Sequence, residues 1–302
     1  MGASSIGRRR ALVAGRFSFE PMGATAGDLM ARDVACGWLG EAGLAHDVAN
    51  APVLGDGLDW RSADPTAYSH LVFVCGPADR RAPLPELLER FAGCRMVGLD
   101  VSMDRPLEEW NPFHALVERD SSRTTRPDLA FAAPAVRVPA VGVVLVPHQR
   151  EYGERGRHAD VEAAIERVMS STCAVSVAID TALTNDPSTR DPATLRSAAE
   201  AESLIARMDA VVTTRLHGLV LALRAGVPAV AIDPIAGGAK VLRQAGALGW
   251  PHALPADELS DARLREALDC CLSAEGREAA RACGERAVHA MGDIRERFLT
   301  SL

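Results

Sequence analysis

Short apolar runs, almost unbroken by polar residues, alternate along the chain with longer helical patterns, and this restricts the fold more than any other feature. In the first half they are ALVAG (11–15), HLVFVCG (70–76), RMVGLDV (95–101) and HALVER (114–119). In the second half they are VGVVLVP (141–147), CAVSVAI (173–179), AVVTT (210–214) and PAVAID (228–233). A strand with one wet face alternates polar and apolar residues; one without alternation needs cover on both faces, as in a parallel sheet flanked by helices. The predicted class is therefore α/β. Between the first two runs, Leu29, Val34, Trp38 and Leu39 share a face at helical spacing. Asp160 is expected to open a further helix, and Asp191 followed by Pro192 to cap and start one that runs to Met208. From Asp257 onward the chain reads as two helices. The Ala- and Pro-rich stretch FAAPAVRVPAVG (131–142) separates the two series of strands. It suggests two doubly wound, Rossmann-like domains, 1–138 and 139–302, facing each other across a cleft.

With 302 residues, 48% of them hydrophobic, the chain can bury cores of that size. A net charge of -7 argues against coating nucleic acid, which needs a basic surplus, but leaves room for a small anion at a local positive site. The seven cysteines show neither C-x-x-C spacing nor a paired framework, as expected of a reduced cytoplasm. ALVAG is too short for the apolar core of a signal peptide, and no apolar run reaches the roughly 18 residues that span a bilayer. A soluble cytoplasmic protein is expected, compatible with a peripheral role at the inner membrane face.

The stretch VVTTRLHGLVLALRAGVPAVAID (211–233) carries the functional signal. Its strand ends at Thr214 and its helix begins near Gly218, so Arg215 and His217 fall at the carboxyl end of a parallel strand and the amino end of a helix. Open α/β sheets bind ligands there. The helix end offers unpaired N–H groups and partial positive charge, Arg215 a permanently charged fork, and His217 a proton to hold or give. Gly218 is expected to let a ligand approach the backbone. The competing reading makes Arg215 a surface ion-pair partner and His217 a cap or a satisfied core histidine.

DAVVTTRLHGLVLALRAGVPAVAI resembles the polysaccharide pyruvyl transferase family, whose most specific motif is R-L-H-G followed by a G-V-P strand. Other elements follow in family order. TAGD (25–28), with Gly27 and Asp28, is similar to the early N-x-G-D turn. ERDSS (118–122), with Arg119, is similar to the R-D-x-x-S element, RPDLAF (126–131) to the D-x-a-F element, and Lys240 matches the lysine after the R-L-H-G unit. The resemblance implies two Rossmann-like domains arranged as in the glycosyltransferase-B architecture, with phosphoenolpyruvate in the cleft. It also implies transfer of pyruvate onto two sugar hydroxyls as a cyclic ketal, with a sugar or glycan acceptor and neither metal nor tightly held cofactor. The sequence departs from the family at Thr25, where Asn is expected, in the shortened turn CGPADR, and in DPIAGGAK, which lacks an aromatic residue before the lysine. These changes touch the acceptor side or the cleft rim and leave the anion-binding motif intact.

Phosphoenolpyruvate carries a carboxylate and a phosphate, so its pocket needs fixed cations and N–H donors. Arg215, the following helix, Arg119 and Lys240 are the candidates, with Gly27 and Gly218 beside them. Ketal formation begins with protonation of the enol carbon, and His217 is the candidate acid or the group that stabilises departing phosphate. Asp28 is the candidate to orient or deprotonate the acceptor hydroxyl, against the alternative of an ordinary helix-start carboxylate. His148, just past the fifth strand, is a weaker binding candidate. The chain has no G-x-G-x-x-G after its first strand, no phosphate-loop motif, no H-E-x-x-H and no G-x-S-x-G elbow. A sugar-nucleotide glycosyltransferase and a non-catalytic anion-binding relative remain the alternatives.

Overall fold

A computed structural model describes residues 9–19, 23–55, 57–146, 149–183 and 195–302. The chain divides into two compact units, Met1–Ala135 and Val136–Leu302, and the division falls inside the Ala- and Pro-rich stretch. Both are α/β.

The first unit comprises β1 (Arg10–Gly15), α1 (Ala26–Glu41), β2 (Ala45–Val48), β3 (His70–Val74), the two-residue β4 (Pro77–Ala78), α2 (Leu84–Arg90), β5 (Arg95–Met103) and β6 (Ala115–Asp120). Its sheet runs β2-β1-β3-β5, with β4 and β6 both paired to β5 and every pairing parallel. Alternate residues of β1 and β3 feed opposite cores. Leu12, Ala14, Leu71 and Phe73 pack with Leu84, Leu87 and Phe91 of the α2 side, whereas Ala11, Val13, Val72 and Val74 pack with Ala31, Val34 and Ala35 of α1. Two covered faces account for strands without alternation.

The second unit comprises β7 (Ala140–Val144), α3 (His158–Ser170), β8 (Val175–Ala178), α4 (Ala198–Ile205), β9 (Ala210–Thr213), α5 (Leu216–Arg224), β10 (Ala229–Asp233), α6 (Lys240–Leu248), β11 (Ala253–Pro255), α7 (Asp261–Leu272) and α8 (Ala274–Thr300). Its parallel sheet has the order β11-β10-β9-β7-β8. In both units the first strand sits between the second and the third, leaving two β4 residues aside in the first unit. That is the doubly wound order in which the direction of winding reverses beside the first strand. The reversal lies between β1 and β3 in the first unit and between β7 and β9 in the second.

Each apolar run expected as a strand contains one, with ends shifted by up to two residues, except that the run 141–147 yields a strand ending at Val144, and its last residue lies outside the described residues. Three strands escaped the sequence reading: β2, β4 and β11 are short, and β2 (AHDV) is half polar because it is an edge strand whose Asp47 pairs with Arg10. Asp160 stands in the first turn of α3, which begins two residues earlier at His158. Asp191 and Pro192 lie outside the described residues; the helix described there starts at Ala198, where Ser197 Oγ accepts from Glu200 N at 3.2 Å. The two C-terminal helices are present, and Ser273 ends α7 while capping α8.

Candidate functional site

The switch point of the second unit is built by two threonines. β7 and β9 run side by side, with Val144 in register with Thr213. Thr213 Oγ1 lies 2.9 Å from the Val144 carbonyl and accepts from Arg215 N at 2.9 Å. Thr214 Oγ1 accepts from Val146 N at 2.8 Å. These bonds fix the backbone leaving both strands, so that Arg215 becomes the N-cap of α5 in extended conformation. The helix therefore starts at Leu216, two residues before the position read from the sequence.

No side chain caps α5. Leu219 N is the first amide to find a carbonyl behind it, that of Arg215 at 3.2 Å, so among the described residues the amides of Leu216, His217 and Gly218 have no acceptor. The first two residues of the helix, Leu216 and His217, line a cavity of about 350 Å³, within the range of small-molecule sites. Its walls include Val146, Thr181, Thr214, Arg215, His217, Leu221 and Lys240, and no acidic side chain is among its described lining residues. In a chain of net charge -7 this is a local reversal of sign.

Arg215 is held on one side and open on the other. Its Nε donates to the Leu145 carbonyl at 2.6 Å, and one terminal nitrogen pairs with Asp180 Oδ1 at 3.2 Å. Its other terminal nitrogen has no partner among the described residues. His217 is exposed at the mouth of the cavity and makes no hydrogen bond to another described residue. Lys240, the first residue of α6, lines the same cavity. The structure thus brings Arg215, His217 and Lys240 together.

Gly218 has a different role from the one expected. It is buried and does not line the cavity; a Cβ there would lie 2.2 Å from Thr213 Oγ1 and 3.1 Å from Val144 Cγ1. The missing side chain lets α5 sit against the ends of β7 and β9, so packing alone requires glycine here.

The sequence reading also missed Asp233. At the end of β10 and 1% exposed, its carboxylate accepts from Ile235 N (3.2 Å), Ala239 N (2.8 Å), Val241 N (3.1 Å) and Leu242 N (3.0 Å). It closes the amino end of α6 from within and shapes the turn through Gly237 and Gly238, both at φ 74°, that delivers Lys240. The turn residues after Asp233 in DPIAGGAK were the available signal.

The remaining candidates lie in the first unit or outside the described residues. Asp28 is the third residue of α1 and forms a capping box with Thr25: Oδ2 accepts from Thr25 N and Thr25 Oγ1, each at 2.9 Å, while Asp28 N donates back to Thr25 Oγ1 at 3.3 Å. Thr25, where the family has Asn, keeps the capping function. Gly27 shows no steric need for glycine, since a Cβ would meet only Thr25 Oγ1 at 3.7 Å.

Arg119 donates from all three nitrogens to its own unit: Nε to Asp120 (3.0 Å), Nη1 to Asp128 (2.6 Å) and Nη2 to Ser102 Oγ (2.6 Å). Burial opposes its charge, but the bonds to Asp120 and Asp128 outweigh that and hold its pKa above the ordinary arginine value. The ERDSS and RPDLAF elements are therefore bound to each other. Arg126 adds a 3.0 Å pair to buried Asp100, whose Oδ1 also accepts from Leu129 N at 3.1 Å. Burial still pushes the Asp100 carboxyl up. His148 lies outside the described residues.

A larger hollow of about 730 Å³ lies at the other end of α5, against α8. Its arginines are already paired: Arg224 with Glu202 (2.7 Å), Arg277 with Asp209 (3.0 Å) and Arg281 with Glu278 (2.6 Å). In the smaller cavity, by contrast, one terminal nitrogen of Arg215 has no partner among the described residues. Among the described residues no three His, Cys, Asp or Glu side chains are grouped as metal ligands, and no helix is long and apolar enough to cross a membrane.

No curated protein gives a sequence match. Among solved structures, a calicheamicin glycosyltransferase is similar over 97% of this chain and 98% of its own at 14% identity and a TM-score of 0.36. A glycosyltransferase from Streptomyces nogalater covers 92% of this chain and 94% of its own at 16% identity and a TM-score of 0.29. The UDP-GlcNAc 2-epimerase of Methanocaldococcus jannaschii covers 94% and 99% at 9% identity and a TM-score of 0.31. Scores this low carry no argument about arrangement or activity, so the fold rests on the sheet order above. The family model for polysaccharide pyruvyl transferase matches residues 72–234, more than half of the chain and including the R-L-H-G motif. The chain belongs to the polysaccharide pyruvyl transferase family.

Proposed function

We propose that this protein transfers the pyruvyl group of phosphoenolpyruvate onto two hydroxyls of a sugar or glycan as a cyclic ketal, with the donor bound at the amino end of α5. The observation that carries the reading is an uncapped helix start at the switch point, facing a cavity lined by Arg215, His217 and Lys240 and by no described acid. The open amides suit a phosphate, and the guanidinium of Arg215 suits a carboxylate.

In this reading the His217 imidazolium protonates the enol carbon, which becomes the methyl group, and C2 turns electrophilic. One sugar hydroxyl adds to C2. The C2–O bond to phosphate then breaks, and phosphate leaves as hydrogen phosphate with that hydroxyl's proton. The second hydroxyl closes the ketal and its proton returns to His217. Lys240, Arg215 and the α5 amides stabilise the charge that builds on departing phosphate.

Thermal denaturation and isothermal titration test the donor. Phosphoenolpyruvate is expected to raise the melting temperature where uridine and guanosine sugar nucleotides do not, and phosphate to appear once the right sugar is added. Arg215→Ala is expected to weaken phosphoenolpyruvate about 10- to 100-fold, the value of one or two charge-assisted hydrogen bonds. Stabilisation by a sugar nucleotide and not by phosphoenolpyruvate would contradict the reading.

A further inference from the structure

The inference concerns Asp180, a carboxylate that stands on the edge of the cavity without lining it. It follows β8, and its Oδ1 accepts from Ala182 N at 2.8 Å, a local turn that fixes the side chain. The same oxygen lies 3.2 Å from a terminal nitrogen of Arg215. The Asp180 side chain is 68% exposed, against 20% for Arg215. The arginine does not depend on this pair for its position, because its Nε is anchored on the Leu145 carbonyl at 2.6 Å. Asp180 therefore sits, exposed to solvent, on a guanidinium that is anchored without it, and is held there by the Arg215 pair and by its own turn bond to Ala182 N.

We infer that Asp180 is an internal stand-in for the donor's carboxylate: it occupies the outward edge of Arg215 in the empty site and is exchanged for the substrate carboxylate on binding. The inference rests on the donor assignment above and deepens it by giving each anionic group its own place. The carboxylate takes the Arg215 edge, where a carboxylate already sits, and the phosphate takes the α5 amides and Lys240, which Asp180 does not touch. Asp180 then acts on specificity. A ligand that brings a carboxylate to the Arg215 edge replaces what it displaces, whereas a lone phosphate leaves the Asp180–Arg215 pair in place.

Asp180→Asn tests this cleanly, since the amide oxygen still accepts from Ala182 N and only the charge is removed. Isothermal titration of the full chain with phosphoenolpyruvate and, separately, inorganic phosphate is the readout. The variant is expected to bind phosphoenolpyruvate roughly three- to tenfold more tightly, as follows from removing an exposed competing charge, and inorganic phosphate with less than about a twofold change. Unchanged or weaker phosphoenolpyruvate binding would overturn the exchange and make Asp180 a positioning residue for Arg215. Equal gains for both ligands would also overturn it, because Asp180 would then act as a diffuse charge. A wild-type chain that binds no phosphoenolpyruvate overturns the donor assignment and this inference with it; wild-type binding without the gain in the variant overturns the inference alone.

Discussion

The amino ends of α1 and α5 occupy comparable places in the two units, each beginning after a strand that borders the point where the winding reverses, and they are finished in opposite ways. At α1 the chain closes the helix on itself: Thr25 and Asp28 satisfy each other's amides, and the carboxylate neutralises the partial positive charge. At α5 no described side chain makes a capping hydrogen bond to the first turn, and Arg215, His217 and Lys240 line the cavity beside it. A third end, that of α6, is closed by Asp233. A helix start is available to an external anion only where the chain withholds its own, and among these three ends α5 alone is left uncapped.

The contrast can be broken or sharpened by substitution. The largest effect is expected at the closed end of α6. Asp233→Ala leaves four buried or half-buried amides without their acceptor and should destabilise the protein by about 2–4 kcal/mol, read from the urea midpoint. A loss under about 0.5 kcal/mol would mean that the α6 end does not need closing. Next comes Gly218→Ala, which forces a methyl group to within 2.2 Å of Thr213 Oγ1 and should cost about 1–3 kcal/mol as α5 is pushed off β7 and β9. A variant as stable as wild type with full phosphoenolpyruvate affinity would show that the close seating of α5 is not what shapes the site. The smallest effect belongs to α1: Asp28→Ala should cost about 1 kcal/mol, the usual value of a cap, with donor affinity unchanged. A tenfold fall in affinity for phosphoenolpyruvate would make the α1 turn part of the donor site and erase the contrast.

What the sequence revealed and what it hid divide along the range of the interactions involved. Arg215 and His217 could be placed at a strand-to-helix junction because apolar periodicity is local, and the error of two residues in the helix start arose because an arginine in extended conformation gives no capping signal. The two faces of the first sheet were legible in the unbroken apolar runs of β1 and β3. Pairings across the fold were not. Nothing near Arg119 in the sequence signals that Asp128, nine residues on, accepts its Nη1. Asp180 gives no hint of its partner, which arrives 35 residues later on another strand end. The packing need for Gly218 was not legible, because its neighbour across the gap, Thr213, becomes close only when α5 folds back over β9.

In the proposed function, anions bind the open amides of α5 and leave the closed end of α1 alone. Backbone amide resonances of isotopically labelled protein, followed during titration with phosphoenolpyruvate, test it residue by residue. Saturable shifts are expected at Leu216, His217 and Gly218 and none at Ala26, Gly27 and Asp28. Shifts confined to the α1 turn, or an α5 turn that does not respond at saturating ligand, would contradict it.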